Sequence, residues 1–497
     1  MLGSASTAKL ENAGIPVVYT LGEGFSHDAE SAAHDYGMTE MRFIELAGYY
    51  WHIPADESRP IAIAYFDEIM DALVRPLTEL EQNPPQLEPT SYQPVTIIED
   101  SYPEAVEEFH RIFYENQWSD GLSLIPPTRE AVDWMLTGTN RSPDEVIGIY
   151  PLKYGVATVE LAAVNAVMAG ANPEFFPVIL AALDATSSSV AGMAMEDYDL
   201  THPLGSLGGF EFAIWTSGPD VAKDLGQNYS ERLWTYGNRG NATLGRALRL
   251  CWLNFGHTWP GINDMARQRS NPFVNYTFAE VPPELSPWEP YHVSHGFDPE
   301  DNVITVSTIN GSLPTTYTGR TAYMEPPEER LLTAQATVER LVDTVKARRG
   351  PEITDFDPTV AAPSAHYVKY IFMISPDMAY DLYDLGFTDQ LSLMEHIYEA
   401  SLIPYEDLTA DEIVRARQRI DGTINETLHT ADRIPPDRLQ VFIDALQPGG
   451  KYPVLFSPQD IHLVVVGGPD DGKKVTGFSY MEHVYTWSSH ESRAIEK

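Results

Sequence analysis

Short apolar runs alternate with amphipathic stretches along most of the chain. Residues 15–21 and 41–46 are apolar runs of strand length, while 6–12, 27–36 and 61–80 carry apolar positions at helical spacing. Helices alternating with short strands predict a parallel sheet over residues 1–82. No strand precedes the first helix, so that strand is expected upstream of residue 1 or from elsewhere in the chain. Prolines from Pro84 to Pro94 mark residues 83–95 as a linker.

Beyond the linker, residues 95–98 read as a strand and 103–116 as a helix. Thr128 is placed to cap a helix carrying Val132 to Leu136. Two apolar helical runs, 159–168 and 176–183, flank the turn Gly170-Ala171-Asn172-Pro173. Strands are expected at 210–216 and 303–309. The run 329–349 puts Leu331, Val338, Leu341, Val342 and Val345 on one helical face, and Gly350-Pro351 ends it. A boundary there separates a central α/β region, 96–350, from a C-terminal one, 351–497. In the latter, strands are expected at 367–375 and 463–466, and helices at 391–400 and 439–446.

Candidate chemistry begins at Gly237-Asn238-Arg239-Gly240-Asn241-Ala242-Thr243-Leu244-Gly245-Arg246, a tight loop feeding a helix. Asn241 or Thr243 can cap that helix. Its free N–H groups, with Arg239 and Arg246, suit a carboxylate or phosphate; the alternative is a glycine-packed helix whose arginines pair internally. Residues 286–296 gather Trp288, Glu289, His292 and His295, and Pro287 and Pro290 predict an extended chain. Glu289 and Tyr291 then face one side, and Trp288 and His292 the other. His292 and His295 fall on opposite faces, so no metal set is expected there. His292 or Glu289 is the candidate proton carrier, against a hydrogen-bonded structural role for His292.

Asp120, beside Trp118, either lines a pocket or closes an Asx turn. The carboxylates of Glu196, Asp197 and Asp199 read as a solvated turn before a cation site, and Asp377 and Asp381 as one solvated helix face. Ser364 and His366 lack a nucleophile elbow. The strand entering Gly467-Gly468-Pro469-Asp470-Asp471-Gly472-Lys473 is not a phosphate loop, because Lys474 follows where Ser or Thr is needed.

Charge narrows the partners. The 497 residues hold 72 acidic and 32 basic side chains, a net charge of −40. Such a surface repels nucleic acid and anionic membrane, so neither is expected as a partner. Cys251 is the only cysteine, which excludes a disulfide within the chain and a thiolate metal cluster. It lies in an apolar run and reads as a buried small hydrophobe. With no long apolar segment and no leader pattern at residue 1, a cytoplasmic location is expected.

The opening Gly3-Ser4-Ala5-Ser6-Thr7, followed by Leu10-Glu11-Asn12-Ala13-Gly14-Ile15-Pro16-Val17-Val18, resembles the UGSC-motif (seleno)protein family. There a selenocysteine or cysteine, Gly, Ser and Cys precede a helix and an E-x-x-G-I-P strand. The motif falls here on Leu2-Gly3-Ser4-Ala5, so both chalcogen positions are apolar and the family's thiol or selenol attack is lost. Much of 110–470 resembles the larger region that accompanies such domains, through 118–128, 165–177, 217–219, 237–250, 286–290, 375–386 and 465–468. Ala171 stands where relatives are expected to carry cysteine, and Met378 where histidine is common.

The resemblance implies an α/β protein, with a small Rossmann-like UGSC-type domain over 1–82 followed by larger mixed α/β domains. The expected function is an enzyme on a small anionic or polar metabolite, working by non-thiol acid/base chemistry. Its catalytic candidates are His292, Glu289 and Asp120, and its binding candidates are Asn238, Arg239, Asn241, Thr243, Arg246, Trp288 and Trp118. The alternative is a non-catalytic accessory subunit of a reductase-like complex. A homo-oligomer or a reductase-type partner protein is compatible with either, and no cofactor is indicated.

Overall fold

The structure is a computed structural model. It describes residues 7, 10–11, 14–23, 26, 29–30, 33, 40–47, 55–83, 94–150, 155–187, 211–221, 239–259, 275–309, 312–321, 327–346, 369–421, 437–467, 475–483 and 490–496.

In chain order the elements begin with β1 (Tyr19–Gly22), β2 (Phe43–Leu46), α1 (Ala55–Ala64), α2 (Phe66–Val74) and α3 (Glu79–Gln82). Next come α4 (Tyr102–Glu115), α5 (Arg129–Leu136), β3 (Val146–Tyr150), β4 (Gly155–Thr158), α6 (Val159–Ala169) and α7 (Phe176–Ser187). They continue as β5 (Glu211–Ser217), α8 (Arg239–Gly256), β6 (Tyr276–Ala279), α9 (Tyr291–Ser294), β7 (Val303–Ile309), β8 (Ser312–Thr321) and α10 (Pro327–Lys346). The last third holds β9 (Lys369–Ile374), α11 (Pro376–Asp384), α12 (Gln390–Ser401), β10 (Ile403–Pro404) and α13 (Ala410–Asp421). It ends with α14 (Leu439–Ala445), β11 (Lys451–Tyr452), β12 (Ile461–Val465), β13 (Val475–His483) and β14 (His490–Ala494).

The class is α/β with small mixed sheets. β1 and β2 pair in parallel, as the alternation of helix and strand predicts for the first 82 residues. Two four-stranded sheets dominate the rest, one ordered β14-β7-β5-β6 and the other β12-β9-β13-β8. Strands from both sides of residue 350 share each sheet: β8 pairs with β13, and β14 with β7.

Strand periodicity sorts the side chains into three cores. Phe212, Ile214, Ile304 and Val306 of the first sheet pack outward against α6, α7 and α8. Tyr370, Phe372, Ile374, Ile461, Leu463 and Val465 of the second pack outward against α10, α11 and α12. The alternate residues (Ala213, Trp215, Ile309, Ile371, Met373 and Val464) meet between the sheets. The layers therefore run helix, sheet, sheet, helix. The backbone N–H of Val281, just beyond β6, donates to the Val465 carbonyl at 2.9 Å and ties one sheet to the other.

Local differences from the sequence expectations have local causes. The helix expected over 61–80 breaks at Tyr65, and again at Arg75, which turns extended (ψ 132°) ahead of Pro76. Residues 95–98 form no strand, and Ile98 is exposed. Neither Asn241 nor Thr243 caps α8, because the chain is already helical at Arg239. The Thr243 hydroxyl donates instead to the Arg239 carbonyl, at 2.7 Å. Thr128 does cap α5, accepting from the Ala131 N–H. Cys251 is fully buried, which pushes its thiol pKa far up. No helix among the described residues is long and apolar enough to cross a membrane.

Gly245 is where α8 presses on the strand end at β6. A β-carbon there would lie 2.7 Å from Thr277 Oγ1 and 3.0 Å from the Asn275 carbonyl oxygen. Gly245→Ala gains about 1 kcal/mol of helix propensity but overpacks a site walled partly by backbone, at about 1–3 kcal/mol. The expected outcome is a net loss of stability in urea denaturation.

Candidate metal centre

The segment 286–296 is not extended throughout. Pro290 caps a helical turn, α9, receiving the N–H groups of Val293 at 3.0 Å and Ser294 at 3.1 Å. A proline at the cap restricts the residue before it and leaves the following residues free to turn. The two-face argument for His292 and His295 fails with the strand, and each enters its own network.

His292 enters a buried polar chain. Ser217 ends β5 and Glu280 follows β6, at the carboxyl ends of two parallel strands. Ser217, Glu280 and His292 are all buried. The Glu280 carboxyl accepts the Tyr291 N–H at 3.0 and 2.9 Å and bonds the Ser217 hydroxyl. Ser217 Oγ lies 2.6 Å from His292 Nδ1 and accepts the His292 N–H at 3.2 Å. Burial pushes Glu280 up to about 8, against the hydrogen bonds from Ser217 and Tyr291. Burial also lowers His292, which favours its neutral imidazole.

The Ser217 hydroxyl donates to Glu280 Oε2 and accepts from His292, through its backbone N–H and, in the Nδ1–H tautomer, through its ring, while His292 Nε2 lies 3.4 Å from the Pro299 carbonyl oxygen. Unlike a hydrolytic triad, the acid bonds the serine and not the histidine.

His295, at the carboxyl end of α9, enters the second network. One ring nitrogen each from His295, His462 and His490 lies within 4.8 Å of those of the other two. His462 sits on β12, buried, and faces the other sheet with Val464. His490 opens β14, and its ring centroid is 4.2 Å from that of His462. His295 reaches solvent.

Tyr291 engages two of the three rings. Its backbone carbonyl lies 2.8 Å from His295 Nδ1 and its hydroxyl 3.0 Å from His462 Nδ1. Nε2 is then the nitrogen each can offer an ion. Burial lowers His295, which favours the neutral, ligating form. Three imidazoles on separate elements, two with the far nitrogen held, fit a first-row divalent ion.

The other sequence candidates lie elsewhere or play other parts. Asp120 and Arg246 meet in a two-point ion pair, at 2.8 and 3.0 Å, and Arg246 also donates to the Ser123 carbonyl. Asp120 closes the Asx turn too, accepting from the Leu122 N–H at 3.1 Å. Arg239 donates to the Gly170 carbonyl and to Asn172. Trp118 packs edge-on against Phe113, while Asn241 is buried in α8. Trp288 is buried in the core of the second sheet and donates to the Phe387 carbonyl at 2.8 Å. Glu289 takes part through its backbone carbonyl, which accepts from Gln390. Asp381 is buried and pairs with Arg330 at 3.1 Å, where a solvated helix face was expected. Asn238, Glu196, Asp197, Asp199, Ser364, His366, residues 468–474 and the UGSC-like positions 2–5 lie outside the described residues.

Sequence reasoning missed His462 and His490. The available signal was a lone imidazole in the apolar strand Ile461–Val465, on the face that alternation turns inward. The chain matches no protein-family model, no curated protein and no solved structure.

Two outcomes are expected here. Arg246→Ala leaves the nearly buried Asp120 carboxylate without its cation, and should cost about 3 kcal/mol in chemical denaturation. Glu280 has a folded pKa of about 8 against 4.5 for the free side chain, so between these values the folded state holds more protons. Its contribution to stability is therefore full below about 4.5 and lost as pH rises through 8. Glu280→Gln should remove that decline from a stability–pH profile.

Proposed function

We propose that the protein is a metal-dependent enzyme that performs polar, non-thiol chemistry on a small anionic or polar metabolite. The observation that carries this reading is the convergence of His295, His462 and His490, with ring nitrogens within 4.8 Å of one another. Zinc-type sites that leave a position open for water or substrate use three protein ligands. A divalent ion held there would act as a Lewis acid and polarise a substrate oxygen. Three neutral imidazoles leave its charge uncompensated, which favours an anionic or oxygen-rich substrate.

The reading also fits the rest of the chemistry. Cys251 is buried and the UGSC-like chalcogen positions are Leu2 and Ala5, so sulfur and selenium supply no nucleophile. Hydrolysis or elimination is the reaction type such a site serves. The Asp120–Arg246 pair supports α8 as structure, since each group already holds the other.

One observation favours the accessory-subunit reading. Helix α2 buries none of its residues: its own Phe66 and Val74 are exposed, as is Ile63 at the end of α1. Such a face suits a protein partner.

The test is metal uptake. Metal-stripped protein titrated with zinc or cobalt(II) should bind one ion per chain. Because His295 reaches solvent, His295→Ala should keep the fold and lose that binding. Unchanged uptake in His295→Ala contradicts the proposal.

A further inference from the structure

We infer that Tyr291 is the positioning residue of the three-histidine centre, fixing which nitrogen His295 and His462 present to an ion. The inference rests on the metal reading and deepens it. A metal-ligating histidine almost always carries the proton on its other nitrogen, where a hydrogen-bond partner holds it in place. Tyr291 does this holding twice, by two different atoms. Its carbonyl accepts from His295 Nδ1, and its hydroxyl meets His462 Nδ1.

The side chain is held as firmly as a core residue. Tyr291 is buried, its ring lies 3.9 Å from that of His295 at 22°, and it meets Trp215 edge-on at 5.3 Å. Its amide is pinned from behind by the buried Glu280 carboxyl, itself bonded to Ser217. Glu280 and Ser217 thus set the start of the turn, Tyr291 sets the rings, and the rings set the site.

The tyrosine hydroxyl can work in either direction. When it donates to His462 Nδ1, the proton of that imidazole sits on Nε2 and the ring is not a ligand. When it accepts from Nδ1–H, Nε2 is free for the ion. The carbonyl on His295 can only accept, and the Ser294 hydroxyl, 3.1 Å from the same Nδ1, donates to that carbonyl, so this arrangement favours the Nδ1–H form of His295 that leaves Nε2 for an ion.

The experiment compares wild type, Tyr291→Phe and His295→Ala, each stripped of metal and titrated with zinc. Histidine-selective nitrogen NMR reads which ring nitrogen is protonated and which binds. In wild type, zinc should leave both His295 and His462 protonated at Nδ1 and bound through Nε2. Tyr291→Phe keeps the ring stack and the carbonyl but removes the hydroxyl. It should bind zinc about ten- to a hundredfold more weakly, the usual loss when such a hydrogen bond to a ligand is removed. Its His462 signal should show mixed tautomers while His295 stays as in wild type. Wild-type affinity and wild-type His462 signals in Tyr291→Phe overturn this role alone. Wild type that takes up no zinc, or loses none of it in His295→Ala, overturns the metal reading and this role together. Should Tyr291→Phe not fold, the wild-type spectra decide: zinc bound through Nδ1 of His295 or His462 overturns the inference.

Discussion

A charged or polar group sealed between two sheets must find partners there, and in this protein the Glu280 carboxyl finds the Tyr291 amide. That contact holds the end of β6 to the turn α9. Without it, the buried Tyr291 N–H would lose its partner, at a cost of about 1–3 kcal/mol, and the acid would keep only Ser217. The acid meets the demand by staying neutral, its pKa raised by burial. Ser217 and His292 extend the same solution, so that one hydrogen-bond chain links three buried side chains. The turn is fixed by this chain before any ligand is considered.

From that turn the layered architecture supplies the rest. β12 and β14 are edge strands, one in each four-stranded sheet. Edge strands of stacked sheets can approach each other where central strands are covered, and His462 and His490 stand on these two. His295 reaches them from the loop side. The three histidines are separated by 195 residues at the widest, from His295 to His490. Two strands and one capped turn carry them, which is the kind of support a metal centre needs.

The fold was partly legible in the sequence. Strand-length apolar runs marked β5, β7, β9 and β12, and the Thr128 cap marked α5. What periodicity could not give was pairing. Nothing in the local pattern says that β14 joins β7 or that β13 joins β8 across the boundary placed at residue 350, because sheet partners are chosen by packing over the whole chain. The site followed the same division. Asp120 and Arg246 were singled out one by one, and their meeting in an ion pair is a tertiary fact. His292 and His295 were noticed, but prolines at 287 and 290 suggested an extended chain, and a helical turn replaced it. His462 was hidden by its apolar neighbours, since a single histidine in a core strand gives no spacing to recognise.

If nitrogens of His295, His462 and His490 hold one divalent ion, X-ray absorption at the metal edge of the zinc-loaded protein will read them. The expected result is about three nitrogen neighbours at about 2.0–2.1 Å, with the outer-shell scattering of imidazole rings. A shell of oxygen atoms alone, with no imidazole signature, would contradict it.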